Sequence, residues 1–103
     1  MVERRNARPG QTPSSAIAGL RRRIDAVDAE IVALIAQRLA LVDKLLPLKA
    51  SIAAPCRERQ VLRNAARLAR KLKTDVGVVT GLFDRLVEQT LKYQRDKRKC
   101  RRN

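Results

Sequence analysis

Leu20, Ile24, Val27, Ile31, Leu34, Leu41, Leu45 and Leu48 recur at alternating steps of four and three residues, and Arg38 fills the one place in that series where an apolar residue should stand. This period marks the apolar seam of one long helix packed against other helices. The pattern predicts a helix from about residue 16 to about residue 52, capped by Ser14 or Ser15. Pro47 should kink or loosen its last turns, because proline removes a backbone donor. Ala53, Ala54 and Pro55 mark a short turn, with Pro55 well placed to open a second helix over about 56–72. On that helix Val61, Leu62, Ala65, Leu68, Ala69 and Leu72 share one face, and Arg59, Arg63, Arg67, Arg70 and Lys71 make a basic outer face. Thr74 or Asp75 caps a third helix of about 76–97, whose stripe of Val79, Phe83, Leu86 and Val87 continues into Thr90 and Gln94. A buried threonine can bond its own helix backbone, whereas a buried glutamine needs partners. The predicted fold class is all-α: three helices per chain with a long first helix.

Arg38 is the first candidate for function. A guanidinium in an apolar seam is costly unless an anion meets it. Lys49 lies 11 residues further on, which on a continuous helix puts it within about 20° of Arg38. Two cations then look out of one face. The structural alternative is an arginine that snorkels to the surface or pairs with a structural carboxylate.

Composition narrows the chemistry. The 103 residues suit one domain, and aromatics are 2% against 45% hydrophobic residues, so the core is aliphatic. A small helical hairpin buries too little surface alone, which predicts self-association. The net charge of +14 calls for an anionic partner. Part of that charge lies at the ends: residues 1–15 read as a disordered basic arm, 16–97 as the helical domain and 98–103 as a basic tail. There is no histidine, which removes the commonest general base and the Ser-His and Cys-His arrangements. Cys56 and Cys100 are too far apart in sequence to suggest a metal cluster. No metal and no cofactor are expected. No apolar run suggests a signal peptide or a membrane span, so the expectation is a cytoplasmic protein without a membrane partner.

The segment Leu20-Arg21-Arg22-Arg23-Ile24-Asp25-Ala26-Val27-Asp28 resembles the opening of the all-helical chorismate mutases. The resemblance continues through Arg38, Lys49, the Arg57-Glu58-Arg59 run, the Leu82-Phe83 pair and Gln94, from about residue 18 to 95. It implies an intertwined homodimer with sites shared between chains, acting on a small dicarboxylate. It implies that Arg38, Lys49 and Gln94 are catalytic: Arg38 on a substrate carboxylate, Lys49 on the ether oxygen and a carboxylate, Gln94 as second donor to the ether oxygen. It further implies substrate binding by Arg21 from the neighbouring subunit, by Arg57 and Thr90 near carboxylates, and by Glu58 on the ring hydroxyl. Helix arithmetic agrees with sharing. Arg21 and Arg38 are 17 residues apart, hence roughly 25 Å and about 100° apart on one helix. An antiparallel partner helix would bring its own Arg21 towards this chain's Arg38 and Lys49, giving two equivalent sites.

The implied reaction, chorismate to prephenate in phenylalanine and tyrosine biosynthesis, is unimolecular and pericyclic. It needs a folded conformer and donors where the breaking C–O bond gains negative charge, not a nucleophile or a metal. The chain departs from the commonest mutases in its shorter Lys49–Arg57 connection, in Ala54, and in Pro47. The short stretch from Lys49 to Pro55 resembles the isochorismate pyruvate lyases of the same fold, which form salicylate. An amino-substituted chorismate is a further candidate substrate. A non-catalytic basic helical binding protein is the alternative of another class. With Phe83 and Tyr93 as its aromatics, the chain offers no stacking platform, and no nucleic-acid partner is expected.

Overall fold

The structure, a computed structural model, describes residues 12–102. Among them are three α-helices, α1 (Pro13–Leu45), α2 (Pro55–Lys71) and α3 (Val76–Arg102), with a 3-10 turn at Leu46–Leu48 and no strand. The all-helical class and the long first helix are as the periodicity predicts. The chain divides into two compact units, Met1–Arg38 and Leu39–Asn103.

In the first unit, α1 begins earlier than predicted. Pro13 takes the first helical position, where its missing N–H is no loss. Thr12 is therefore the cap, in place of Ser14 or Ser15: its Oγ1 accepts from the Ser15 N–H at 3.1 Å. Residues 13–15, expected in the basic arm, are helical; residues 1–11 lie outside the described residues. The apolar seam is formed but uncovered. Ile24 is 57% exposed, Val27 53%, Ile31 49% and Leu34 61%, and α1 holds no buried residue. Scattered exposed aliphatics are ordinary, but a stripe at fixed spacing is not.

The second unit packs α2 against α3. Its buried side chains are Leu46, Ala65, Ala69 and Gln94. Ala65 and Ala69 lie one turn apart on α2, and their small side chains let a facing helix approach closely. Pro47 acts more sharply than predicted. Rather than loosening a helix that runs to 52, it ends α1 at Leu45 and turns the next residues into the 3-10 segment. Lys49 follows with extended backbone, φ −91° and ψ 131°.

Local signals fix the remaining boundaries. Pro55 opens α2 as predicted. Asp75 caps α3, its Oδ1 accepting from the Val78 N–H at 2.9 Å. The α2–α3 turn is a Schellman arrangement: Lys73 N–H donates to Arg70 O at 3.1 Å and Thr74 N–H to Ala69 O at 3.0 Å. α3 continues past the predicted end at 97 to Arg102, so residues 98–102 extend the helix. Among the described residues, no helix is long and apolar enough to cross a membrane.

Lys73 holds the left-handed position of that turn, with φ 56°. A side chain there costs about 1 kcal/mol, which glycine avoids. Lys73→Gly is therefore expected to raise the melting temperature by a few degrees, as read by circular dichroism; a lowered value would show that Lys73 stabilises the turn in another way.

Candidate functional site

Two candidates 45 residues apart in sequence meet in the second unit. Lys49 Nζ donates to the Ile52 carbonyl at 2.6 Å and to Gln94 Oε1 at 3.4 Å. Gln94 is only 3% exposed and Lys49 is half-buried. The glutamine arrives on the buried face of α3, by the stripe that begins at Val79. The lysine arrives because the chain leaves helical geometry at its own residue. The loop then folds back far enough for Ile52 to accept from its ammonium. The buried glutamine has the partner that the sequence demanded for it.

Glu58 and Arg57 keep more local company. Glu58 Oε2 accepts from the Ala54 N–H at 2.9 Å, so this carboxylate caps the start of α2. It thereby steadies the loop that also ties to Lys49. Arg57 is exposed and its Nη1 donates to Gln60 Oε1 at 2.7 Å, along the surface of α2. Thr90 Oγ1 donates to Leu86 O at 2.7 Å, the backbone bond open to a threonine inside a helix. In the first unit, Arg21 is exposed, while Arg38 is half-buried. Leu34 and Leu41, the seam residues on either side of Arg38, are 61% and 65% exposed.

The sequence reading missed the residues that hold this region. Tyr93 donates its hydroxyl to Asp43, with 2.9 Å to Oδ1 and 3.1 Å to Oδ2. Lys97 Nζ lies 3.9 Å from the same Asp43 and 5.5 Å from the centroid of the Tyr93 ring. Arg98 Nη2 donates to the carbonyls of Leu46 and Lys49, each at 3.0 Å. A signal was available. Thr90, Gln94 and Arg98 are successive steps of four on α3, so Arg98 continues the inward face rather than starting a tail.

Chemically, the centre is an ammonium beside a neutral amide. The glutamine gives its carbonyl to the lysine, and an amide NH2 is a donor of its own. Such a pair can place two kinds of N–H donor at one oxygen as that oxygen gains negative charge, with no proton transferred. Among the described residues, no cluster of three or more His, Cys, Asp or Glu side chains could hold a metal ion.

Comparison with known proteins then places the chain. No curated protein and no solved structure matches it. The model of one family, chorismate mutase type II, matches residues 20–95. The match runs from the leucine that opens the seam to the residue after Gln94, and so takes in all seven site candidates. With well over half of its length matched, the chain belongs to the chorismate mutase type II family.

Proposed function

We propose that this protein is a chorismate mutase, an isomerase that converts chorismate to prephenate on the route to phenylalanine and tyrosine. The observation that carries this reading is the Lys49–Gln94 contact within the family match. These are the two residues assigned to the ether oxygen, and they meet across 45 residues of sequence. Arg38 binds a substrate carboxylate and favours the folded conformer from which the reaction proceeds. Arg57 and Thr90 serve the carboxylates, and Glu58 the ring hydroxyl. The test is to incubate purified protein separately with chorismate and isochorismate and to identify the products. Prephenate from chorismate supports the assignment. Salicylate and pyruvate from isochorismate would replace it with the lyase, which the short stretch from Lys49 to Pro55 favours.

The site is completed in a homodimer. Support comes from the uncovered seam of α1. Fully burying a Val, Leu or Ile contributes roughly 1.5–3 kcal/mol; the seam side chains, about half exposed, stand to gain part of that each, and a two-fold partner covers two seams at once. Arg21 of one chain then serves the pocket of the other. Sedimentation at micromolar concentration is expected to show a dimer; a stable folded monomer would remove this part of the proposal.

Sharing makes a second prediction. Arg21→Ala and Lys49→Ala homodimers each carry two damaged pockets. A mixed dimer carries one pocket with both lesions and one with neither. Mixing the inactive variants is thus expected to restore up to about half the activity of each heterodimer's wild-type counterpart, since one of two equivalent sites is whole. If heterodimers form and stay inactive, Arg21 does not act across the interface.

Gln94→Glu tests the donor role. An anionic glutamate cannot donate and opposes charge on the ether oxygen, so kcat at pH 7 should fall by on the order of 100-fold or more. In the free protein, the neighbouring Lys49 ammonium favours the glutamate anion and opposes the effect of burial. In the complex, the carboxylates of the bound substrate work the other way and favour the protonated, donating form. As pH falls from 8 to 5, kcat is therefore expected to recover at higher pH than kcat/KM, which reports the free enzyme. A pH-independent, wild-type-like kcat would take Gln94 off the catalytic list.

A further inference from the structure

We propose that Arg98 is the positioning residue for Lys49, and that it does the work that a continuing helix would otherwise do. The inference rests on the functional reading above for its catalytic consequence, though not for its geometry. Pro47 brings α1 to a stop, and the chain reaches Lys49 in extended form. Helix carbonyls in this stretch lose the N–H groups that a further turn would supply. Leu46 O receives the Lys49 N–H at 3.2 Å and the Arg98 guanidinium at 3.0 Å. Lys49 O receives the same Nη2 at 3.0 Å. One nitrogen thus holds both ends of the 3-10 turn.

The side chain of Lys49 depends on that hold. Its backbone is tied at the N–H and at the C=O, and its ammonium at Ile52 and Gln94. Gln94 and Arg98 are one turn apart on α3, so a single turn of rigid helix touches the head of the lysine with one residue and its backbone with the other. The half-buried Arg98 makes charge-assisted bonds, which are stronger than neutral ones. It lies beyond residues 20–95, the stretch matched by the family model. It also faces the segment where this chain departs from the commonest mutases, at Pro47 and in the short connection to α2. The clamp belongs to this chain's own way of ending its first helix.

A clamp that sets the aim of a catalytic donor should act on turnover more than on binding, since a displacement of about 1 Å can cost on the order of 100-fold. Arg98→Ala is expected to lower kcat on chorismate by about 10- to 100-fold with little change in KM. Arg98→Lys should restore part of the loss, because an ammonium can donate to two carbonyls. Amide hydrogen exchange supplies a readout that needs no activity: exchange at Lys49 should quicken in Arg98→Ala while α2 stays protected. Should Arg98→Ala fail to fold, Arg98→Gln, with its two amide donors, is measured in the same way. If the wild-type protein converts neither chorismate nor isochorismate, the functional reading falls, and the exchange at Lys49 decides the clamp by itself. Unchanged exchange there in Arg98→Ala, or unchanged kcat in an active protein, overturns the proposal. So does an equal loss of melting temperature and rate that Arg98→Lys does not relieve, which is the mark of a merely structural arginine.

Discussion

Pro47 has no backbone N–H to give, and the second unit is arranged around that gap. A helix that continued would have kept Lys49 on its own cylinder, aimed by its angle relative to Arg38. Instead α1 stops at Leu45 and Lys49 stands in extended backbone. Its ammonium is then aimed by what it meets: Ile52 O on the returning loop and Gln94 on α3. The cost of ending a helix inside a packed region falls on its orphaned carbonyls. A turn of α3 supplies the donors, through Arg98. Helix termination, loop path and the placing of a candidate catalytic donor are one physical problem here.

Around that junction the polar groups are satisfied in pairs that also specify position. The Tyr93 hydroxyl and the Lys97 ammonium both address Asp43, near the end of α1. Glu58 answers the Ala54 N–H at the start of α2. Among the described residues, no buried side-chain nitrogen or oxygen lacks a partner. A fully satisfied polar network rigidifies, whereas a half-satisfied one would be worse than an apolar core. Rigidity is what a donor pair needs if it is to act by electrostatics in a fixed geometry, because preorganised dipoles do not have to reorient as charge develops. A chain without histidine has this route open to it, and proton transfer by imidazole closed.

Periodicity made the helices legible, and it did so because burial obeys the helical period. α2 and α3 begin where Pro55 and Asp75 place them. The ends were harder. Pro13 moved the first cap from Ser14 or Ser15 back to Thr12, since a proline at the first helical position fixes the cap beside it. The end of α1 was misplaced because proline inside a pattern can kink a helix or stop it, and the pattern continues through Leu48 either way. Lys49 and Gln94 were readable as candidates. Their contact was not, because it depends on a loop whose path no periodicity encodes. Arg98 was lost to its composition: within a run of cations it reads as a solvated tail, and only its register with Thr90 and Gln94 separates it from its neighbours.

The seam of α1 carries the same lesson in the opposite sense. Its leucines, isoleucines and valines are exposed in the single chain, while Arg38 in their midst is half-buried. For a chain that folded alone, this would be an inversion of the usual order, with apolar groups in water and a charge sheltered. The inversion disappears if the seam is one half of a core. Under the proposed function, a second copy supplies the other half and brings Arg21 with it. Assembly would then be a condition for a complete site, and the charges on α1 would be placed for a pocket that one chain cannot form. Under that reading the aliphatic seam and the cations within it would answer different needs on one helix: the first would set the register between two chains, and that register would set which arginine reaches which lysine.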